Sequence, residues 1–224
     1  MNYQYLTHSV GGFIQQAAVC YVQRGYYFYV FGQIKKDANL LEVDQKIMNK
    51  YQIRISKDQR YRRKQEGVAS VQYLRYERTF LLLATHGKHQ FFKEEKNQIK
   101  DARHAPIRAF GYMIQWVNDQ LLVSIDKKNC QKLKTEMMQA ALLHGPQTLA
   151  AKFWAIRFEP YSRVYKQIKS IWKSVNLRRR TAGLPPVPVS ALRHNRRIYR
   201  PFEPEKPGKP KPRPREEGLD LMSN

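Results

Sequence analysis

Between Glu159 and Glu203 the chain has no carboxylate: 43 residues carry eleven Lys and Arg and no Asp or Glu. Nothing inside that run can neutralise its cations. That excludes a surface of mixed sign and predicts a strongly positive one, the footprint of a polyanion site. Acids are scarce throughout, with 41 Lys and Arg against 18 Asp and Glu, a formal net charge of +23 and a pI near 10.1. Self-repulsion on that scale opposes compaction, and bound counter-charge relieves it. Cysteine is nearly absent. Cys20 and Cys130 make neither a disulfide framework nor a metal-ligand spacing, so a reducing compartment is expected. Long apolar runs are missing too: a run such as Phe80 to Ala84 is far below the roughly 20 residues of a bilayer span. The residues from Met1 to His8 lack the basic and apolar regions of a secretory signal. A soluble intracellular protein, cytoplasmic or in the nucleoid and without a membrane partner, is expected. A glycine-rich phosphate loop, CxxC, HExxH and GxSxG are all absent, which weighs against the commoner NTPases, zinc enzymes and α/β-hydrolases. No cofactor is expected.

The 224 residues are 42% hydrophobic, enough for a real core, and one domain with a tail is the expected organisation. A helix is predicted from the Thr7 and Ser9 region to Arg24, with Gly25 as its stop and the Gly11, Gly12 pair blurring its start. Tyr26 to Ile34 alternates as a strand with apolar or aromatic residues on both faces. Asp37 and Asn39 are candidate caps for a helix over 40–51. A short strand over 52–56 and a basic connection over 57–66 follow. Residues 69–76 and 78–85 form a hairpin, 88–92 a third extended piece, and 107–116 with 121–125 another hairpin about Asn118 and Asp119. From Lys127 the periodicity is helical: one helix to His144, a second from Pro146 to Arg157, and a longer third from Pro160. Nine of the twelve prolines lie between Pro185 and Pro214, which predicts extended, unpacked chain. The expected fold is α+β: a mostly antiparallel sheet with helices on one side, a C-terminal helical group and an unstructured basic Pro-rich tail. The predicted boundaries are 1–182 for the compact body and 183–224 for the tail.

The third helix carries the sharpest pattern. At about 100° per residue, Val164, Ile168, Ile171 and Val175 share one side, while Arg163, Lys166, Lys169 and Lys173 share nearly the opposite one. No Glu or Asp interleaves these cations, as i,i+4 pairing on an ordinary solvated face would require. A phosphate-facing helix is therefore predicted. Arg178, Arg179 and Arg180 extend its surface, and Arg193, Arg196, Arg197 and Arg200 continue it. Arg60, Arg62, Arg63 and Lys64 form a second basic cluster. Such runs also serve as nuclear localisation signals.

Arg24 to Phe31 resembles the RNP1 pattern of RNA-recognition motifs over eight residues, departing at Tyr27 and Tyr29. RNP1 lies on a third strand, whereas only a helical segment precedes this one. What remains is an expected stacking strip of Tyr27, Tyr29 and Phe31 for unpaired bases. His86 and His89, with Tyr161 and Tyr165, resemble the HUH endonucleases of rolling-circle and transposon systems. That resemblance implies a divalent metal, Mg or Mn, on the histidines and a tyrosine nucleophile. Here the histidines stand three apart across Gly87, not two apart on a strand. Glu94, Glu95, Asp101 and His104 are further potential ligands, but basic residues interleave among them.

The sequence thus predicts a nucleic-acid-binding protein, RNA slightly favoured over DNA, that uses a cationic helix and a basic tail on phosphates. A subunit of a ribonucleoprotein with its protein partners, or an accessory factor of a mobile element, fits. The alternatives are a metal-dependent HUH-like tyrosine nuclease and an interaction module for an acidic protein.

Overall fold

The structure, a computed structural model, describes residues 3–204, so the proline-rich stretch beyond them lies outside the described residues. The fold is α+β with two antiparallel sheets. The described residues divide into two compact units: residues 3–124 with 198–204, and residues 125–197. No helix among the described residues is long and apolar enough to cross a membrane.

The first unit opens with α1 (Val10–Gln15), capped by the Ser9 side chain accepting from the Gly12 amide. In place of one regular helix to Arg24, the chain widens into a π-helical segment, Gln16–Tyr21, and tightens into a 3-10 turn, Val22–Arg24. Gly25 stops it at φ 92°, a conformation open chiefly to glycine. Gly11 has a different reason. A Cβ there would lie 2.2 Å from the Tyr199 ring, so only glycine lets the segment after Ile198 lie against α1. The Gln15 side chain fixes that segment, donating to the Tyr199 carbonyl at 2.9 Å and accepting from its amide at 3.0 Å.

The larger sheet comprises β1 (Phe28–Gln33), β2 (Val71–Tyr76), β3 (Thr79–Ala84) and β4 (Lys100–Asp101), in the order β2-β3-β1-β4. β1 is central, as its two apolar faces require. Phe28 and Val30 face a core containing Met48, Tyr51, Tyr73, Leu82 and Phe91. Tyr29 points the other way and is equally buried. The smaller sheet is β5 (Ile107–Ala109), β6 (Tyr112–Val117) and β7 (Gln120–Ile125). Its two hairpins turn at Phe110-Gly111 and Asn118-Asp119, each pair at positive φ, the signature of type I′ turns.

α2 (Leu40–Lys50) forms as expected, but three short predictions around it fail. Residues 52–56 are not a strand: Gln52 adopts φ 48°, and Ile53 tucks into the core. The connection over 57–66 is instead a helix, α3 (Lys57–Gln65). Ser56 and Gln59 close a full capping box there, and Arg62, Arg63 and Lys64 complement its C-terminal dipole. None of its residues is buried, so apolar periodicity could not reveal it. Residues 88–92 give not a strand but α4 (Gln90–Glu94), capped by the His89 ring.

One ion pair anchors this unit. Asp44 of α2, fully buried, accepts from the Arg75 guanidinium of β2 at 2.8–3.1 Å and from the Tyr73 hydroxyl at 2.6 Å. Burial and the adjacent carboxylate raise the Tyr73 pKa, keeping the phenol a donor. The second unit contains α5 (Lys127–Leu143), α6 (Pro146–Trp154, ending before Arg157) and α7 (Ser162–Thr181), with a 3-10 turn at Val189–Ala191.

Asp44→Asn leaves a buried guanidinium without its counter-charge. It is expected to cost about 3 kcal/mol or more of stability, read from the urea midpoint. A change within about 0.5 kcal/mol would show that the pair is dispensable.

Candidate nucleic-acid interface

α7 has the two faces its periodicity predicts. Val164, Ile168, Ile171 and Val175 are all buried, and Arg163, Lys166, Lys169 and Lys173 are all exposed. Among the described residues none of these four cations makes an ion pair. Lys169 has only a ring contact, its Nζ 5.9 Å from the Tyr165 centroid. The reason is compositional. The second unit holds sixteen Lys and Arg against Asp126, Glu136 and Glu159. Asp126 caps α5 by accepting from the Asn129 amide at 2.9 Å. Glu159 is buried, 3.2 Å from the Arg193 guanidinium, and accepts from the Arg197 amide at 3.0 Å. Glu136 lies 3.9 Å from Lys132 on the surface of α5. Among the described residues of this unit no carboxylate is left for α7.

The triple arginine does not act as one surface. At about 100° per residue, Arg180 falls about 35° from the centre of the cationic stripe, whereas Arg179 falls about 50° from the centre of the apolar one. Arg180 is accordingly exposed and prolongs the stripe. Arg179 is buried, 1% exposed, and donates to the carbonyls of Ala141 and Pro185 at 2.6 Å and of His144 at 2.8 Å. It is a structural residue and leaves the expected contact set. Arg178 is exposed and donates to the Met138 carbonyl at 3.0 Å.

The following cations divide similarly. Arg193 is half-buried on Glu159. Arg196 lies over the Tyr161 ring at 4.7 Å, and Arg197 is exposed. Arg200, in the first unit, sits 3.2 Å from Glu203. The chain beyond α7 is extended but packed as far as described. Val187, Ala191 and Leu192 are buried, and Asn176 bonds the Val187 backbone in both directions. Arg60, Arg62, Arg63 and Lys64 stand on α3 of the first unit, with Arg63 donating to Gln52 at 2.7 Å.

A cation group went unnoticed in the sequence. Lys127, Lys128, Lys132 and Lys134 of α5 are all exposed. No acid separates Asp126 from Glu136, and that local gap was the available signal.

The stacking strip breaks at its middle. Tyr29 is 4% exposed, and its hydroxyl donates to the Ala105 and Pro106 carbonyls at 3.1 and 3.0 Å. Tyr27 is half-buried against Trp116, with Arg103 at 5.0 Å from its ring, and Phe31 alone is exposed. The histidine pair is also divided. His86 is exposed in the turn after β3, while His89 Nδ1 accepts from the Phe91 amide as the cap of α4. Burial, followed by the Arg63 charge, holds the His89 imidazole below the usual histidine range. Among the described residues no three of His, Cys, Asp or Glu converge as metal ligands. Glu95 accepts from the Tyr51 hydroxyl, and burial pushes that phenol up to about 12. Glu94 pairs with Lys50, and Asp101 with Arg103. Tyr161 and Tyr165 stand near the start of α7, the first under Arg196 and the second 4.9 Å from the His194 ring.

Arg179→Ala is expected to cost about 3 kcal/mol or more, because buried carbonyls lose their donor and a cavity opens. Lys169→Ala, on the exposed face, should change stability by no more than about 0.5 kcal/mol. Thermal denaturation of the two variants separates the faces, and equal losses would contradict the assignment.

No protein-family model matches the chain, and no curated protein sequence matches it.

Proposed function

We propose that this protein binds nucleic acid by laying the exposed face of α7 along the phosphate backbone. The observation that carries this reading is the uncompensated stripe of Arg163, Lys166, Lys169 and Lys173, prolonged by Arg180, on a helix whose other face is buried. From Arg163 to Arg180 the stripe runs about 25 Å at 1.5 Å per residue, the length of several phosphates of one strand. Cations that no carboxylate screens keep a counterion atmosphere, and a polyphosphate that replaces it gains the release entropy. Contacts of this kind fix position without reading bases, so binding is salt-dependent and weakly selective. Aromatic faces that stack unpaired bases would favour RNA, and the strip of Tyr27, Tyr29 and Phe31 is the place for them. With Tyr29 withdrawn from it, α7 offers phosphate contacts that RNA and DNA share.

The test is fluorescence anisotropy with labelled single-stranded RNA, single-stranded DNA and duplex DNA over a range of salt. Lys166→Glu, Lys169→Glu and Lys173→Glu together should weaken all three ligands. They should also reduce the slope of log affinity against log salt by about 2 to 3, while the urea midpoint holds. Unchanged affinity removes α7 from the interface. Equal affinity for poly-glutamate would replace nucleic acid with an acidic polypeptide as the partner.

A further inference from the structure

The first unit contains an open cavity of about 710 Å³ on which three arginines converge: Arg24, Arg54 and Arg60. The volume lies within the roughly 300–1,000 Å³ usual for small-molecule sites. None of the three guanidiniums has a hydrogen-bond or ion-pair partner among the described residues, and no acidic residue lines the cavity. Arg75 and Arg103 of the same unit, by contrast, are paired with Asp44 and Asp101. Three like charges around one hollow repel each other unless an anion sits among them. The positioning elements are unusual as well. The π-helical segment contributes Gln16, Cys20 and Tyr21 to the wall, the 3-10 turn contributes Arg24, and π-helical turns concentrate at functional sites. Ser56, the N-cap of α3, also lines the cavity.

The remaining lining is aromatic and amide. The Tyr21 and Tyr26 rings stand 5.7 Å apart, tilted by 55°, and Phe202 joins them. Gln72 is 5% exposed, its Oε1 accepting from the Tyr3 hydroxyl at 2.9 Å and its Nε2 donating to the Tyr26 hydroxyl at 3.4 Å, which leaves Gln4 and Gln16 as the other amides of the wall. An inorganic anion has no use for such a wall. A flat heterocycle does, because aromatic faces stack on any base and amides bond base edges.

We propose that this cavity is a nucleotide site, which takes an aromatic base against Tyr26 and Phe202 and the attached 5′ phosphate on Arg24, Arg54 and Arg60. The ligand is either a free mononucleotide or the 5′-phosphorylated end of a strand, and both present the same chemistry. The site lies wholly within the first unit and does not depend on α7.

Isothermal titration of the full chain with adenosine 5′-monophosphate, adenosine and inorganic phosphate tests this. The monophosphate should bind one per chain, with adenosine and phosphate each about tenfold weaker or more, since each lacks half the contacts. Arg54→Gln with Arg60→Gln should weaken the monophosphate by a similar factor at an unchanged urea midpoint. If that pair shifts the midpoint, Arg24→Gln serves for the same comparison. A 5′-phosphorylated and a 5′-hydroxyl oligonucleotide, titrated into the Lys166→Glu, Lys169→Glu, Lys173→Glu protein, distinguish the sources. A preference for the phosphorylated end over the free monophosphate assigns the strand terminus, and the reverse assigns the free nucleotide. The proposal is overturned if phosphate alone binds as tightly as the monophosphate. It is also overturned if neither phosphorylated ligand saturates, or if the arginine variants bind as the parent does.

Discussion

A shortage of carboxylates governs the second unit. Asp126 and Glu159 serve backbone and buried contacts, and Glu136 lies out on α5. With Glu159 taken by Arg193, the buried Arg179 is stabilised by carbonyl oxygens instead. Ala141 belongs to the last turn of α5 and His144 is its C-cap, so the guanidinium sits where the α5 dipole is negative. The same side chain reaches the Pro185 carbonyl, joining α7, the end of α5 and the chain that follows. With its one buried cation so satisfied, α7 presents the rest of its charge outward.

The first unit solves the burial of charge differently. Asp44 and Arg75 meet in bidentate geometry, with Tyr73 filling a remaining lone pair, the arrangement in which a buried pair recovers its desolvation cost. Lys50 with Glu94 and Arg103 with Asp101 are exposed versions of the same local compensation. The arginines around the cavity and the stripe on α7 have no ion pair among the described residues, and the two groups belong to separate units.

Where one periodic rule dominates, local pattern and structure agree. The faces of α7, the two hairpin strands β2 and β3, the Asn118-Asp119 turn and the Pro146 helix start all follow from spacing or from a single turn residue. Agreement fails where local signals compete. α3 has a capping box but no apolar stripe, so periodicity is silent although the cap is decisive. His89 looks like a metal ligand in sequence and is a helix cap in space. Tyr29 looks like the middle of a stacking strip, yet its ring is buried and its hydroxyl is held by the Ala105 and Pro106 carbonyls.

By itself, the sequence determined the charge imbalance, the α+β class and the amphipathic division of α7, because composition and a 3.6-residue period are properties of neighbours along the chain. Only the tertiary structure decided which cations are free. Arg179 and Arg180 are adjacent and chemically identical, yet one meets a ring of carbonyls and the other meets water. The convergence of Arg24, Arg54 and Arg60 was likewise beyond local reading, since packing between segments some thirty residues apart brings them to one cavity.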